Sequence, residues 1–365
     1  MENFYKSIGA MCGSSCDGID FSLIMTNGTD NVKIVNNKFF EFDKNLKNKL
    51  KNFKNSINDI RAFREKVKSK EFINLEIQFS NLIANYCLDF IKDCGTDFDM
   101  FGFHGFTLFH SVKDKISFQV GNAEIIKNIV KKNIIYDFRN KDLLNGGKGA
   151  PLASIYHFLI LKKNTEFDSV INIGGISNCT YRKNSIFYST DIGPGNCLLD
   201  DWVKNYFNKE FDHDGSLSAQ GSINQISANN FIDRFIFKKN ANISFDTTDF
   251  SISEFRGLNK FDGLKTLTFI TAELILEFFK HNNLRRSLVC GGGRKNKTLI
   301  NKIKSISYEN FNYEQIDKYG IDGDFIESQA FAFLAVRSHL NLPISFPLTT
   351  GCNSPSSGGL SVENF

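Results

Sequence analysis

The chain reads as a mixed α/β protein of two lobes, and three glycine clusters at the ends of apolar strands predict it. The first cluster, IGAMCGSSCDGID at residues 8–20, is a strand, a small-residue turn and a second strand over 19–25. SVINIGGISNCTYR at 169–182 repeats that device: strand 170–173, Gly174 and Gly175, then a return strand over 176–181. The third, spanning 287–303, is the strand LVC, then Gly291, Gly292 and Gly293, then a helix with Asn296 and Thr298 in its first turns. A strand–glycine–strand unit opening each half predicts a pseudo-repeat, two lobes that clamp one nucleotide between them. Glycines at the strand-to-helix turn let a flat or anionic ligand approach the backbone and the helix N-terminus.

In the first turn, Gly13 and Gly18 lack the Cβ atoms that would keep a ligand off the backbone. Ser14 and Ser15 offer hydroxyls beside backbone N–H groups, and Asp17 and Asp20 offer oxygens to Mg²⁺, directly or through water. No Gly-Lys-Ser/Thr follows and a strand succeeds the turn, so the loop is not of the Walker kind. The Lys-rich stretch 44–70 also carries Asp59 and Glu65 and reads as a solvated helical face. Leu75, Phe79, Leu82, Ile83, Tyr86 and Phe90 recur at helical spacing, marking an amphipathic helix that Gly95 ends.

A strand over 100–105 places His104 beside Gly105, with its ring either in a cleft or satisfied in the core. The polar, glycine-rich stretch 137–151 has little periodicity and reads as the hinge between lobes. Arg139 lies in it, placed to grip an anionic substrate group or else to face solvent. A helix over 154–162 leads into the second hairpin. Asp191 ends the strand 186–190 just ahead of Gly193, Pro194 and Gly195, with Pro194 suited to the first turn of the helix bearing Leu199, Trp202, Val203 and Tyr206. A carboxylate there faces the cleft on a rigid support and takes a proton from water or a sugar hydroxyl; the bland alternative is a helix cap. Weak periodicity over 229–263 suggests an irregular insertion. The last helix, 324–340, carries Glu327 in its first turn, with Ile326, Ala330 and Leu334 facing the core.

A length of 365 residues allows two domains, and 41% hydrophobic with 23% charged residues describes an ordinary globular chain. A net charge of +4 argues for neither a nucleic-acid nor a membrane partner. The start of the chain has no basic segment followed by a long apolar core, and the longest apolar run, 331–336, is too short to span a bilayer. The 8 cysteines form no CxxC pair and the 6 histidines form no zinc-type cluster, so reduced thiols in a cytoplasmic protein are expected.

These segments, in this order, resemble the anhydro-N-acetylmuramic acid kinases of the sugar kinase/Hsp70/actin superfamily, nearly end to end. MCGSSCDGID resembles the family's MSGTSxDGxD, and GFHGFTLFH its GxHGQTxxH. QVGNAEII is similar to QIGDPxxI, and DFRNKDLLNGGKGAPL to DFRxxDxAxGGQGAPL. INIGGISNCT, DIGPGNCLLDDW and CGGGRKN resemble NIGGIANxT, DTGPGNxLxDxW and CGGGxxN. The resemblance implies a two-lobed, actin-like ATPase fold of the ribonuclease H-like kind, with nucleotide and substrate in the interlobe cleft. Residues 1–140 plus 355–365 would form the N-terminal lobe, and 141–354 the C-terminal lobe with the second hairpin, Asp191 and the adenosine site.

The reaction implied is coupled hydrolysis and phosphorylation in cell-wall recycling. Water opens the internal bridge of 1,6-anhydro-N-acetylmuramic acid, and the freed O6 takes the γ-phosphoryl of ATP, giving N-acetylmuramate 6-phosphate and ADP. Asp191 would be the base and Glu327 its assistant near the anhydro bond. Gly13, Ser14, Ser15, Cys16, Asp17, Gly18, Ile19, Asp20, Gly174 and Gly175 would bind ATP phosphates, with Gly291, Gly292 and Gly293 at the nucleoside and Mg²⁺ at Asp17 or Asp20. His104, Thr107, Arg139, Gly193 and Asn196 would meet the sugar, Arg139 pairing with its lactyl carboxylate. The resemblance also implies a homodimer. Phe106 stands where the family has Gln, removing an amide that could touch substrate, and Ile192 stands where it has Thr, removing a hydroxyl near the base. Ser14 for Thr keeps the hydroxyl. Two alternatives stay open: a conventional sugar kinase on another substrate, and a catalytically silent nucleotide-binding protein.

Overall fold

A computed structural model describes residues 3–13, 15–239, 244–306 and 311–363; Ser14 lies outside them. The chain forms two compact units, one of residues 1–159 with 325–365 and one of 160–324. Unit 1 opens with strands β1 (Tyr5–Cys12), β2 (Gly18–Thr26) and β3 (Val32–Glu41), then helices α1 (Lys44–Asn55), α2 (Ile60–Lys66) and α3 (Lys70–Cys94). Strands β4 (Met100–Ser111) and β5 (Ile116–Val120), helix α4 (Ala123–Val130), strand β6 (Asn133–Tyr136) and helix α5 (Asn140–Leu144) follow. Helix α6 (Ser154–Lys163) carries the chain into unit 2.

Unit 2 holds β7 (Ser169–Ile173), β8 (Ile176–Lys183), β9 (Ile186–Pro194), α7 (Cys197–Phe207), α8 (Gln225–Lys239), α9 (Lys260–His281), β10 (Arg286–Cys290), α10 (Lys297–Ile306) and β11 (Asn312–Gln315). The chain returns to unit 1 as α11 (Ile326–His339) and β12 (Leu360–Val362).

Both glycine hairpins exist as antiparallel pairs, β1 with β2 and β7 with β8. The pseudo-repeat is visible in the sheets. In unit 1 the order β3-β2-β1-β4-β6 runs as an antiparallel meander followed by two parallel strands. Unit 2 repeats it as β9-β8-β7-β10-β11. The chain is therefore a mixed α/β protein of two units built on one strand pattern.

Alternation along β1 sends its residues to two different layers. Ile8 and Ala10 join a core with Phe21, Phe101 and the apolar stripe of α3, including Leu75, Phe79, Ile83 and Phe90. Helix α3 is fixed at both ends: the Ser69 hydroxyl accepts from Phe72 N–H, and Gly95 ends it at φ 61°. Gly9, between Ile8 and Ala10, faces α11 instead. It is the register partner of Gly102 on β4. A Cβ on Gly9 would stand 2.0 Å from the Ser328 carbonyl oxygen, and one on Gly102 2.4 Å from that of Phe331. Two bare strands thus let the α11 backbone lie directly on the sheet. In unit 2, α9 and α7 pack over the sheet around fully buried Trp202, and the missing side chain of Gly263 makes room for its ring.

Several expectations are corrected. The unit boundaries fall at 159/160 and 324/325, not at 140/141 and 354/355, so Glu327 belongs to unit 1. The stretch 137–151 is not a hinge between units. It lies within unit 1, contains α5, and is tied to 350–354 by Lys148 N–H to Thr350 O (2.9 Å), Asn353 N–H to Asn145 O (2.9 Å) and Asn145 Nδ2 to Ser354 O (2.7 Å). Its glycines reflect close packing: a Cβ on Gly147 would be 2.2 Å from the Asp142 carboxylate. Residues 229–239 are helical, as part of α8, not an irregular insertion. Pro194 ends β9 instead of starting the next helix.

Candidate active site

The first hairpin supplies an open backbone turn. Cys16 N–H donates to Gly13 O at 3.0 Å, and Cys16 takes φ 55° to close the turn. A Cβ on Gly13 would meet only the Ser15 Oγ, at 3.9 Å, so the space above that residue is open. Gly18 does a different job from the one expected: its missing Cβ makes room for the Phe40 carbonyl of β3, 2.2 Å away, not for a ligand. The side chains of Cys16 and Ile19 lie in the core, which leaves only their backbone to meet an anion. Asp17 accepts a hydrogen bond from Lys47 Nζ on α1, and Asp20 sits half-buried on β2 opposite Met11. No group of three His, Cys, Asp or Glu side chains able to hold a metal occurs among the described residues. One or two hard carboxylate oxygens beside a phosphate cradle still match Mg²⁺, which keeps water and substrate phosphates as its other ligands.

Glu327, Arg139 and His104 come together in unit 1. Arg139 caps α5 and donates from Nε to His104 Nε2 (2.9 Å) and from Nη1 to Gly149 O (2.7 Å). Because arginine only donates, His104 Nε2 must accept, and the Nδ1–H then donates to Gly105 O at 3.0 Å. His104 is 3% exposed and packs on the Phe331 ring. Burial and the nearby Arg139 charge push its pKa well below the usual histidine value, so the ring is neutral. Both ring nitrogens are hydrogen-bonded within the protein. Burial pulls the Arg139 pKa down to about 10, against the opposing charges of Glu327 and Asp142. Burial pushes the Glu327 carboxyl up, and Arg139 only partly offsets it. Glu327 is half-buried in the first turn of α11. Thr107 is half-buried on β4, where its Oγ1 accepts from Gln119 Nε2 at 3.4 Å.

In unit 2, Asp191 lies within β9 opposite Asn178, next to a register shift at Ser177/Asn178, and not at the strand's end. Its Oδ2 accepts from Ser244 Oγ and from Phe245 N–H, both at 3.0 Å, and Asn196, not Asp191, stands at the N-cap of α7. Ser244 and Phe245 escaped the sequence reading because they are distant in the chain and carry no motif. The carbonyls of the second hairpin's turn are occupied by the segment leading into α7: Asn196 N–H donates to Gly174 O (2.8 Å), and Gly195 and Cys197 N–H to Gly175 O (2.9 and 3.1 Å). Asn196 also donates from Nδ2 to Ile173 O at 3.2 Å, and Gly193 is buried beside Phe235.

Of the three glycines after β10, Gly291 (φ 78°) would put a Cβ 2.2 Å from Asn172 Oδ1, and Gly293 would put one 2.3 Å from Ile173. Only Gly292 has room above it, with Asn196 Nδ2 at 3.9 Å the nearest atom. A 3₁₀ turn, Gly292–Lys295, intervenes before α10, so Asn296 precedes the helix and its Oδ1 caps it by accepting from Leu299 N–H (3.0 Å). The two departures from the family pattern are core residues: Phe106 and Ile192 are both buried, in units 1 and 2 respectively.

An α/β chain whose two units each carry a glycine-turned hairpin and a rigidly seated acid belongs with the enzymes that work on nucleotides and small molecules. No helix among the described residues is long and apolar enough to cross a membrane. A family model described as anhydro-N-acetylmuramic acid kinase matches residues 5–363, and the chain belongs to that family of phosphotransferases. The anhydro-N-acetylmuramic acid kinase of Pelagibacter ubique (strain HTCC1062) is 41% identical to it over 377 residues, covering 100% of both chains. That of Brucella canis is 33% identical over 378 residues, again 100% of both, and that of Agrobacterium fabrum 31% over 367 residues, 98% of each.

Proposed function

We propose that this chain uses ATP and water to convert 1,6-anhydro-N-acetylmuramic acid into N-acetylmuramate 6-phosphate and ADP, in the cytoplasm and as a homodimer. The observation that carries the reading is the family match, which runs over 5–363. Asp191 would take a proton from the water that attacks the anomeric carbon. Ser244 Oγ and Phe245 N–H donate to Oδ2 and orient the group. Such base catalysis contributes roughly 10²–10⁴-fold. Attack from the face opposite the leaving oxygen follows the geometry of an inverting glycosidase.

Glu327, whose carboxyl burial pushes toward its neutral form, would donate a hydrogen bond to the sugar beside the anhydro bond. Arg139 would take the lactyl carboxylate with the guanidinium edge not used by His104 and Gly149. The open turn at Gly13 would receive phosphate, Gly292 would border the nucleoside, and Asp17 or Asp20 would hold Mg²⁺. The metal ion supplies charge neutralisation for phosphoryl transfer, which otherwise depends on positioning. Thr107, Gly193 and Asn196 would line the sugar site.

The test is incubation with ATP, Mg²⁺ and the anhydro sugar in H₂¹⁸O, followed by mass spectrometry of the product. The expected product carries one ¹⁸O at the anomeric position and one phosphoryl group. A phosphorylated product without the label would overturn ring opening by water, and no ATP turnover would overturn the kinase reading.

A further inference from the structure

One residue outside the roles above connects to Arg139 by an unbroken chain of hydrogen bonds. Asp142, on α5, is 2% exposed, yet its carboxylate is fully engaged. Oδ2 accepts from Gly149 N–H at 2.7 Å, and Oδ1 accepts from Thr350 Oγ1 at 2.6 Å. The carbonyl of the same Gly149 accepts from Arg139 Nη1 at 2.7 Å. The turn is shaped around this acid: Gly147 has no Cβ because the carboxylate occupies that place, and Gly149 adopts φ 72°. A buried carboxylate costs several kcal/mol unless it is well hydrogen-bonded, so a side chain kept here needs a return beyond packing.

We propose that Asp142 is the positioning residue for Arg139: it pins Gly149 by its N–H, and the Gly149 carbonyl, in the following peptide unit, fixes with His104 Nε2 the plane of the guanidinium that receives the substrate's carboxylate. The inference rests on the assignment of Arg139 under the proposed function. Asp142 touches no substrate. It acts through the backbone of one residue, Gly149, and one cation, and it sets how strictly the enzyme asks for an acidic sugar. A guanidinium held at two of its nitrogens presents its remaining edge in one orientation, the geometry a bidentate carboxylate contact needs.

The experiment compares kcat/KM for 1,6-anhydro-N-acetylmuramic acid with that for the same anhydro sugar lacking its lactyl ether. The unmodified enzyme should favour the acidic sugar, and Arg139→Met should abolish the preference. Asp142→Asn, which sets an amide against the Gly149 N–H, should reduce the preference by about tenfold, through KM for the acidic sugar, with KM for ATP unchanged. In the Arg139→Met background, Asp142→Asn should alter the preference no further. Thr350→Val, a milder change that removes one donor to Asp142, should move the preference the same way by a smaller factor. It carries the test if Asp142→Asn does not fold. An equal loss on both sugars, or an unchanged preference in a folded Asp142→Asn or Thr350→Val enzyme, overturns the proposal. If Arg139→Met keeps the preference, the assignment of Arg139 itself is overturned, and this inference with it.

Discussion

The two units share a five-strand order but surround their acids in opposite ways. In unit 2, Asp191 sits on a strand, where a hydroxyl and a backbone N–H donate to its Oδ2. In unit 1, Glu327 starts a helix, is desolvated, and has the Arg139 cation as its main electrostatic neighbour. Donors on one oxygen fix a carboxylate's direction. Burial beside a cation makes protonation state and position depend on each other. One strand pattern, duplicated, thus supports two kinds of acid, and the difference comes from what lies off the sheet.

The largest effect that would sharpen this contrast is expected at Asp191. Asp191→Asn should bind ATP normally and lose at least about 100-fold in kcat, as removal of a general base predicts. Near-normal turnover would place the base elsewhere.

Acid should separate the units next. His157, buried in unit 1, has its pKa lowered by burial from the ordinary 6.5 to about 4. Above pH 6.5 the folded and unfolded forms are both neutral there. As pH falls from 6.5 toward 4, only the unfolded form takes the proton, so stability present at neutral pH is lost, by up to about 3 kcal/mol. His104 acts in the same direction. In unit 2 both histidines, His213 and His281, are exposed, and Asp317, drawn down by its hydrogen bonds to Arg294, gives way only below the usual carboxylate range. Hydrogen exchange at pH 5 and pH 7 should therefore show unit 1 loosening first. Simultaneous loosening would break the comparison. His157→Asn should flatten the response of unit 1.

Smaller effects test the acids themselves. Glu327→Gln keeps a hydrogen-bond donor and should cost about tenfold in kcat/KM, and Glu327→Ala should cost more. Equal losses would mean that the donor is not what matters. Ser244→Ala leaves the Phe245 N–H on Asp191 and should lower kcat only severalfold, about 1 kcal/mol in barrier. A loss matching Asp191→Asn would show that the hydroxyl is part of the chemistry.

Much of this fold was legible in the chain because its signals are local. The hairpins at 13–18 and 174–175 and the helix that Gly95 ends depend on turn chemistry and apolar spacing within a few residues. What could not be read depends on distance. Ser244 reaches Asp191 across 53 residues, and Arg139 reaches His104 across 35. Gly18 and Gly291 look like ligand-facing glycines, and only the placement of Phe40 and Asn172 shows that neighbouring chain fills the vacant position. Polarity misled at 137–151, where Gly147 and Gly149 close around the buried Asp142 carboxylate. The substitutions at 106 and 192 looked functional because they break a motif, yet both side chains point into apolar interiors.

The register-matched glycines of β1 and β4 have a further consequence. Helix α11 rests on them at van der Waals distance, and Glu327 is carried on its first turn. A single methyl at position 9 or 102 would act as a shim, tilting the acid without coming near any sugar. On the role proposed for Glu327, part of the reaction's precision would be stored in two residues with no side chain at all, where a screen confined to residues lining the pocket would never find it.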